Sequence, residues 1–322
     1  MSQLIDLSPI EKELTLVEAR LSDNIDSNLD LIERAAKHLL LAGGKRLRPA
    51  FALLTAKMYR DDLEEVYPLA VALELVHLAT LVHDDVIDNS DIRRGTSTVK
   101  KEYGNRISIY SGNYIFARAL KLMASYKRSD ILEVLADASI KISEGEILQM
   151  LSCYNTNLGL KNYLRRIERK TALLIAVSCQ LGAMVVNAPP REVEALRLYG
   201  YYLGMAFQIT DDILDLVADE KVLGKPVGSD IKQGVITLPA LYALKYCRNR
   251  EELARLLSSR ESCINKAEQI IDIIVESGGT EYAYEVSRHF INKAQSQLNK
   301  MPDSQIIANL FDITETILTR DF

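Results

Sequence analysis

One acidic pattern occurs twice in this chain, as Asp84-Asp85-Val86-Ile87-Asp88 and as Asp211-Asp212-Ile213-Leu214-Asp215. Helical residues four apart lie on one face about one turn apart, which pairs Asp84 with Asp88 and Asp211 with Asp215. Apolar runs precede both motifs, at 69–82 and 199–209, and predict two buried helices that turn acidic at one end. Clustered carboxylates on packed helices repel one another unless a cation intervenes. Hard oxygen donors in excess favour Mg²⁺, which keeps waters and bridges protein carboxylates to phosphate oxygens. Solvated acidic helix ends are the plainer alternative, and a single motif would fit it as well. Two motifs, each set in an apolar helix, favour metal.

The basic residues supply the matching half. Lys45, Arg46 and Arg48 stand in Gly43-Gly44-Lys45-Arg46-Leu47-Arg48-Pro49, beside a glycine pair that loosens the backbone. Arg93-Arg94-Gly95 follows the first acidic motif, Lys170-Thr171 opens an uncharged stretch, and Gly224-Lys225-Pro226 follows the second motif. Guanidinium groups grip phosphate bidentately, and lysine binds it as a point charge. Alone, each cluster reads as solvated surface; beside two Mg²⁺-type clusters they read as sites for diphosphate groups. Glu74-Leu75-Val76-His77 has the Glu-x-x-His spacing of a di-iron bundle, which requires a second copy. None exists, because Ala35, Thr80 and Val286 stand three residues before His38, His83 and His289. His77 falls seven residues before Asp84, on the same helical face, and is read as a substrate-binding group.

Helices must carry these groups. Between a few clusters of 8 prolines and 15 glycines, apolar residues recur every three or four positions, as in Leu14, Val17 and Leu21 or Leu203, Phe207 and Leu214. Period-two alternation is scarce, so the expected fold is all-α, with about ten or more helices and no important sheet. Breaks fall near 42–49, 60–68, 89–98, 154–160, 187–190, 218–239 and 276–279, and none reads as a flexible linker. A single domain over residues 1–322 is expected. Residues 171–190 carry no charge, but Ser178, Gln180, Asn187 and Pro189-Pro190 favour a buried central helix over a membrane span. A composition of 48% hydrophobic and 26% charged residues is ordinary for a soluble globular protein. The net charge of −5 offers nucleic acid no basic surface. The four cysteines form no close pair and the N-terminus lacks a signal pattern, so a cytoplasmic setting with reduced thiols is expected.

Taken in order, these segments resemble the trans-isoprenyl (polyprenyl) diphosphate synthases over nearly the whole chain. The matching residues are Gly44-Lys45-Arg46-Leu47-Arg48-Pro49, Glu74 with His77, Leu81-Val82-His83 with the first acidic motif, and Arg93-Arg94-Gly95. They continue through Gly145-Glu146 with Gln149, Lys170-Thr171, Phe207-Gln208 with the second acidic motif, and Gly224-Lys225-Pro226 with Gly228 and Asp230. The resemblance implies the isoprenoid synthase fold, a helical bundle around a deep central cavity with the aspartate motifs facing across its mouth. It implies a trans-prenyltransferase that condenses isopentenyl diphosphate with an allylic diphosphate, farnesyl diphosphate being the expected primer. Lys45, Arg48, His77 and Arg94 are then expected to bind isopentenyl diphosphate, and Arg93, Lys170, Thr171, Gln208 and Lys225 the allylic substrate. About three Mg²⁺ ions are expected, held chiefly by Asp84, Asp88 and Asp211, with Asp85, Asp212, Asp215 and Asp230 in support. The motif aspartates and Lys170 form the implied catalytic set. The chain departs from the family at Val235, commonly Lys, for which Lys232 is a partial substitute, and at Asn113, often Asp. A terpene cyclase would lack the Gly44-to-Pro49 segment and the second full motif, and a non-catalytic regulatory subunit would have lost aspartates.

Product length turns on a tunnel beside the first acidic helix. In the family, residues four and five before the first Asp often set length. Thr80 lies four residues before Asp84, roughly 6 Å along the axis. Thr80 and Ala79 are both small, and Val76, a further turn down, is modest, so an open tunnel and a hexaprenyl or heptaprenyl product are expected. Such a chain suits a respiratory quinone such as menaquinone; a farnesyl or geranylgeranyl product is the shorter alternative. The resemblance points toward the large catalytic subunits of hexaprenyl and heptaprenyl diphosphate synthases. It implies either a small regulatory partner subunit or a homodimer.

Overall fold

Four helices open the chain: α1 (Glu11–Asn24), α2 (Asp30–Leu41), α3 (Leu47–Lys57) and α4 (Tyr67–Ile87). The computed structural model describes residues 5–217 and 227–319, so Gly224, Lys225 and Pro226 lie outside the described residues. After a short hairpin come α5 (Val99–Ala124), α6 (Ser129–Ser152), α7 (Leu160–Ile167), α8 (Leu173–Val185) and α9 (Pro190–Val217). Later described helices are α10 (Ser229–Lys232), α11 (Leu238–Tyr246), α12 (Arg250–Leu257), α13 (Arg260–Asn265), α14 (Ala267–Glu276), α15 (Gly279–Leu298) and α16 (Gln305–Leu318). The expected all-α architecture holds, with one addition. Strands β1 (Ile92–Arg93) and β2 (Thr96–Ser97) pair antiparallel, Ile92 opposite Ser97 and Arg93 opposite Thr96. Arg94 and Gly95 form the turn at φ 53° and 76°, the left-handed pair that suits a tight hairpin. His38 of α2 secures the second strand, its Nε2 lying 2.7 Å from the Ser97 carbonyl oxygen.

Helix α4 is apolar on nearly every face and buried along most of its length, so it must be surrounded by protein. Pro68 sits in its first turn, where a missing N–H breaks no helical hydrogen bond. It packs on α5 and α3, while α8 is sandwiched between α3 and α9, and α9 is backed by α15. The uncharged stretch thus becomes α8 and is buried. No described helix is long and apolar enough to cross a membrane. The sandwich is close because glycine stands at its contacts. A Cβ at Gly182 would meet the Ala52 carbonyl oxygen at 2.3 Å, and one at Gly204 would meet Ala172 Cα at 2.5 Å. This packing brings the acidic ends of α4 and α9 to one cleft.

Candidate active site

The cleft has two joined lobes. One, of about 740 Å³, is lined by Lys45, Arg48, Glu74, His77, Thr80, Ile142 and Glu146 among others. Its neighbour, of about 520 Å³, takes in Asp88, Gln149, Arg166, Asp212, Ser229, Asp230 and Val235. Leu81, Asp84, Arg93, Arg94, Lys170, Gln208 and Asp211 line both. Helix α4 therefore presents one stripe, Glu74, His77, Leu81, Asp84 and Asp88, at the spacing of a single helical face. Thr80 belongs to the wall, whereas Ala79 and Val76 are packed into the main core at 2% and 1% exposure.

The aspartates divide by what they touch. Asp84, Asp88, Asp211, Asp212 and Asp230 line the cleft. Burial, together with the Glu146 and Asp88 carboxylates, pushes Asp84 up to about 7, against the pull of Lys170. Asp85 turns from the cleft and accepts from Arg93 Nε at 2.8 Å, while its buried Oδ2 finds no partner among the described residues. Asp212 accepts at both oxygens, from Tyr163 Oη at 2.7 Å and Gln208 Nε2 at 2.8 Å. Burial raises it to about 6, opposed by the Arg166 guanidinium and those two hydrogen bonds. Asp215 also accepts twice, from Ser229 Oγ at 2.7 Å and the Asp230 N–H at 3.0 Å, and ties α9 to α10.

Among the described residues, no three His, Cys, Asp or Glu side chains converge closely enough to cage a metal by themselves. The donor set still fits Mg²⁺, which takes one or two carboxylates and completes its octahedron with water and phosphate oxygens. Asp84 is a buried acid short of positive charge, and Asp88 and Asp211 share its lobe.

The cations gather in the larger lobe. Burial lowers Arg48 to about 10, and its Nε has no hydrogen-bond partner among the described residues. Burial beside Arg48, Arg94 and Arg93 holds His77 well below the usual imidazole range, so it is neutral. Arg46, in the middle of the basic run, serves the fold. It grips Glu18 at 2.7 and 2.8 Å and Glu74 at 3.0 Å. Arg94 donates to the Gly43 carbonyl, which joins the hairpin to the loop before α3. Gly44 makes room: a Cβ there would lie 2.6 Å from Arg94 Nη1.

Lys170 and Thr171 sit in a π-helical turn, Glu168–Ala172, between α7 and α8. Such turns re-aim side chains and recur at functional sites. Lys170 Nζ donates to Gln149 Oε1 at 3.2 Å and faces Glu146 at 3.7 Å; Thr171 Oγ1 donates to Gln208 Oε1 at 2.5 Å. Val235 lines the smaller lobe, while Lys232 donates to the Val227 carbonyl at 3.1 Å and is not on that wall. Asn113 is exposed on α5. Sequence reasoning missed Tyr163 and Arg166. The signal was an arginine on the buried Tyr163-Arg166-Ile167 stripe of an otherwise polar helix.

The polyprenyl synthetase family model matches residues 29–274. The chain is 44% identical over 313 residues to heptaprenyl diphosphate synthase component 2 of Geobacillus stearothermophilus, covering 97% of each. It is 32% identical to the octaprenyl diphosphate synthase of Escherichia coli strain K12, covering 96% of each. Among solved structures it resembles the polyprenyl synthase of Caulobacter crescentus CB15 complexed with calcium and isoprenyl diphosphate, at TM-score 0.94 and 33% identity, covering 100% of this chain and 99% of that one. It also resembles heptaprenyl diphosphate synthase from Staphylococcus aureus, at TM-score 0.90 and 36% identity, covering 99% and 100%.

The geometry yields two expectations. Gly44→Ala should push the Arg94 guanidinium aside and weaken inorganic pyrophosphate binding about tenfold in calorimetry, since one charge-assisted bond is of that order. Wild-type affinity would mean that Arg94 does not need this seat. In metal-free buffer, Asp84→Asn removes a buried charge facing two other carboxylates and should raise the melting temperature by about 2–4 °C. A lower melting temperature would show that Asp84 already has its counter-charge within the protein.

Proposed function

This chain belongs to the polyprenyl synthetase family and is a trans-prenyl diphosphate synthase; from that premise we propose that it extends an allylic diphosphate, farnesyl diphosphate for choice, with isopentenyl diphosphate to a long all-trans polyprenyl diphosphate. One observation carries the reading: a cation-rich lobe and a carboxylate-rich lobe meet at Asp84, Asp211, Lys170 and Gln208. Two diphosphate substrates can lie there with their reacting carbons together.

Lys45, Arg48, Arg94 and neutral His77 bind the diphosphate of isopentenyl diphosphate, which gives the Arg48 Nε an acceptor. Arg93 and Lys170 hold the allylic diphosphate, with Lys225 as a further ligand by resemblance. Asp84, Asp88 and Asp211 would hold Mg²⁺, about three ions, with Asp230 beside them and Asp85, Asp212 and Asp215 steadying the walls. When bound, Mg²⁺ neutralises charge developing on the leaving diphosphate. Lys170 and Arg93 meet the same charge, so the allylic carbon–oxygen bond ionises. The oxygens of Thr171 and Gln208 lie beside the cationic carbon, and the packed helices keep water from it. Isopentenyl diphosphate, fixed in its lobe, adds through its double bond at a high effective concentration. The departing diphosphate takes the proton, and no side chain is assigned as base.

The similarity to proteins named heptaprenyl diphosphate synthase component 2 supports a hexaprenyl or heptaprenyl product and a second, smaller subunit. The small Thr80 on the cleft wall supports the same length. A homodimer is the alternative assembly.

Radiolabelled isopentenyl diphosphate, farnesyl diphosphate and Mg²⁺ are incubated with the purified chain, and the extracted lipids are chromatographed. If the reading holds, label enters long prenyl chains, and Asp84→Asn or Asp211→Ala lowers turnover by about three orders of magnitude or more with helix content intact. Near-normal rates in both variants would sink the mechanism. Efficient long-chain synthesis by the chain alone would rule out an obligatory partner. Thr80→Phe should shorten the product toward farnesyl or geranylgeranyl diphosphate. Ala79→Phe, overpacking the core, should instead cost about 1–3 kcal/mol of stability in urea unfolding. An unchanged product from Thr80→Phe would remove that residue from the tunnel.

A further inference from the structure

We propose that Tyr163 is a positioning residue for prenyl transfer: through Asp212 it sets which end of the Gln208 amide faces the reacting carbons. This rests on the prenyl-transfer reading. Tyr163 comes from α7, is 2% exposed, and does not line either lobe of the cleft. It cannot touch a substrate held there. Its hydroxyl donates to Asp212 Oδ2 at 2.7 Å, and Gln208 Nε2 donates to Asp212 Oδ1 at 2.8 Å.

A carboxylate can only accept, so the amide of Gln208 must turn its NH₂ toward Asp212. Its carbonyl oxygen then points the other way, where Thr171 Oγ1 donates to it at 2.5 Å. With the hydroxyl proton so engaged, the lone pairs of Thr171 and Gln208 are what the cleft meets. That is the polarity a developing allylic cation needs. The reversed amide would offer N–H groups instead, and would repel it.

Arg166 packs over the Tyr163 ring at the far end of this chain of hydrogen bonds. Its Nη2 donates to the Ile236 carbonyl at 2.8 Å, and its guanidinium lies 5.4 Å from the centre of the Tyr163 ring. The Tyr163 ring is therefore clamped, and its hydroxyl has little freedom to leave Asp212. Remove that hydroxyl, and a buried carboxylate oxygen loses a donor. Gln208 Nε2, which already donates to the other oxygen of that carboxylate, is then drawn toward the vacated one, and its amide leaves the setting that faces Thr171.

The test compares wild type, Tyr163→Phe, Gln208→Ala and the double variant, with the partner subunit present if turnover needs one. Labelled isopentenyl diphosphate and farnesyl diphosphate are the substrates, with Mg²⁺. Tyr163→Phe keeps the ring and its contact with Arg166. It should lower kcat about tenfold, the weight of one oriented hydrogen bond, while both KM values stay within about twofold. In the Gln208→Ala background the same change should alter kcat less than about twofold, because the group it orients is gone. Tyr163→Phe with wild-type kcat would overturn the role. So would an equal loss of kcat in both backgrounds, or a variant that unfolds or melts lower without a selective loss of kcat. Absence of turnover in wild type, by contrast, would overturn the prenyl-transfer reading itself.

Discussion

Everything in this fold answers to the confrontation of two acidic helix ends inside a protein wall. A carboxylate moved from water into a packed interior loses several kcal/mol of solvation, and a second one nearby deepens the loss. Asp84, with Glu146 and Asp88 around it, bears that burden most openly, and its rise to about 7 records it. Arg48 records the opposite: a buried guanidinium lowered to about 10 with an unsatisfied Nε. On the proposed reading, divalent cations would neutralise one lobe and a diphosphate the other.

The two aspartate motifs read alike but are not used alike. The first aspartate of each, Asp84 or Asp211, lines the cleft. The second is held by protein donors in both, Asp85 by Arg93, and Asp212, still on the cleft wall, by Tyr163 and Gln208. The third differs. Asp88 stays on the cleft wall, whereas Asp215 receives Ser229 and the Asp230 N–H. The segments that succeed the two helices account for the difference. After α4 comes a hairpin whose arginines reach back to the cleft, whereas the next described helix after α9 is α10, whose first turn donates the Asp230 N–H. A motif that looks like one metal box is in each case partly a joint.

Much of this was legible in the sequence, and for identifiable reasons. The all-α fold and the buried uncharged helix follow from apolar spacing, and the placing of His77 with Asp84 follows from helical period alone. The division of labour within each motif is implied by the family resemblance and cannot be read from spacing, since adjacent aspartates differ only in the neighbours that distant segments bring. Arg46 shows the same limit. It stands between Lys45 and Arg48, yet a left-handed backbone at φ 47° sends it to Glu18 and Glu74. The hairpin escaped notice because two residues per strand leave no alternation to detect. Tyr163 was hidden because its role depends on Asp212, which lies far along the chain and on another helix.

On the proposed reading, helix α4 carries both the chemistry and the control of product length. Its cleft stripe holds His77, Leu81 and Asp84, while Val76 and Ala79 on another face are locked in the core. A growing hydrocarbon running along this helix can be met by Thr80 but not by Ala79 unless the core opens. The Thr80 hydroxyl is already engaged, donating to the His77 carbonyl at 2.8 Å. The wall there therefore asks no apolar chain to strip water from a polar group, a step that costs free energy wherever the group is left unpaired. Ile142 and Phe207 complete that part of the wall. On the proposed reading the diphosphates stay with Lys45, Arg48, Arg94 and Lys170, and the prenyl chain leaves them along the wall of Thr80, Ile142 and Phe207.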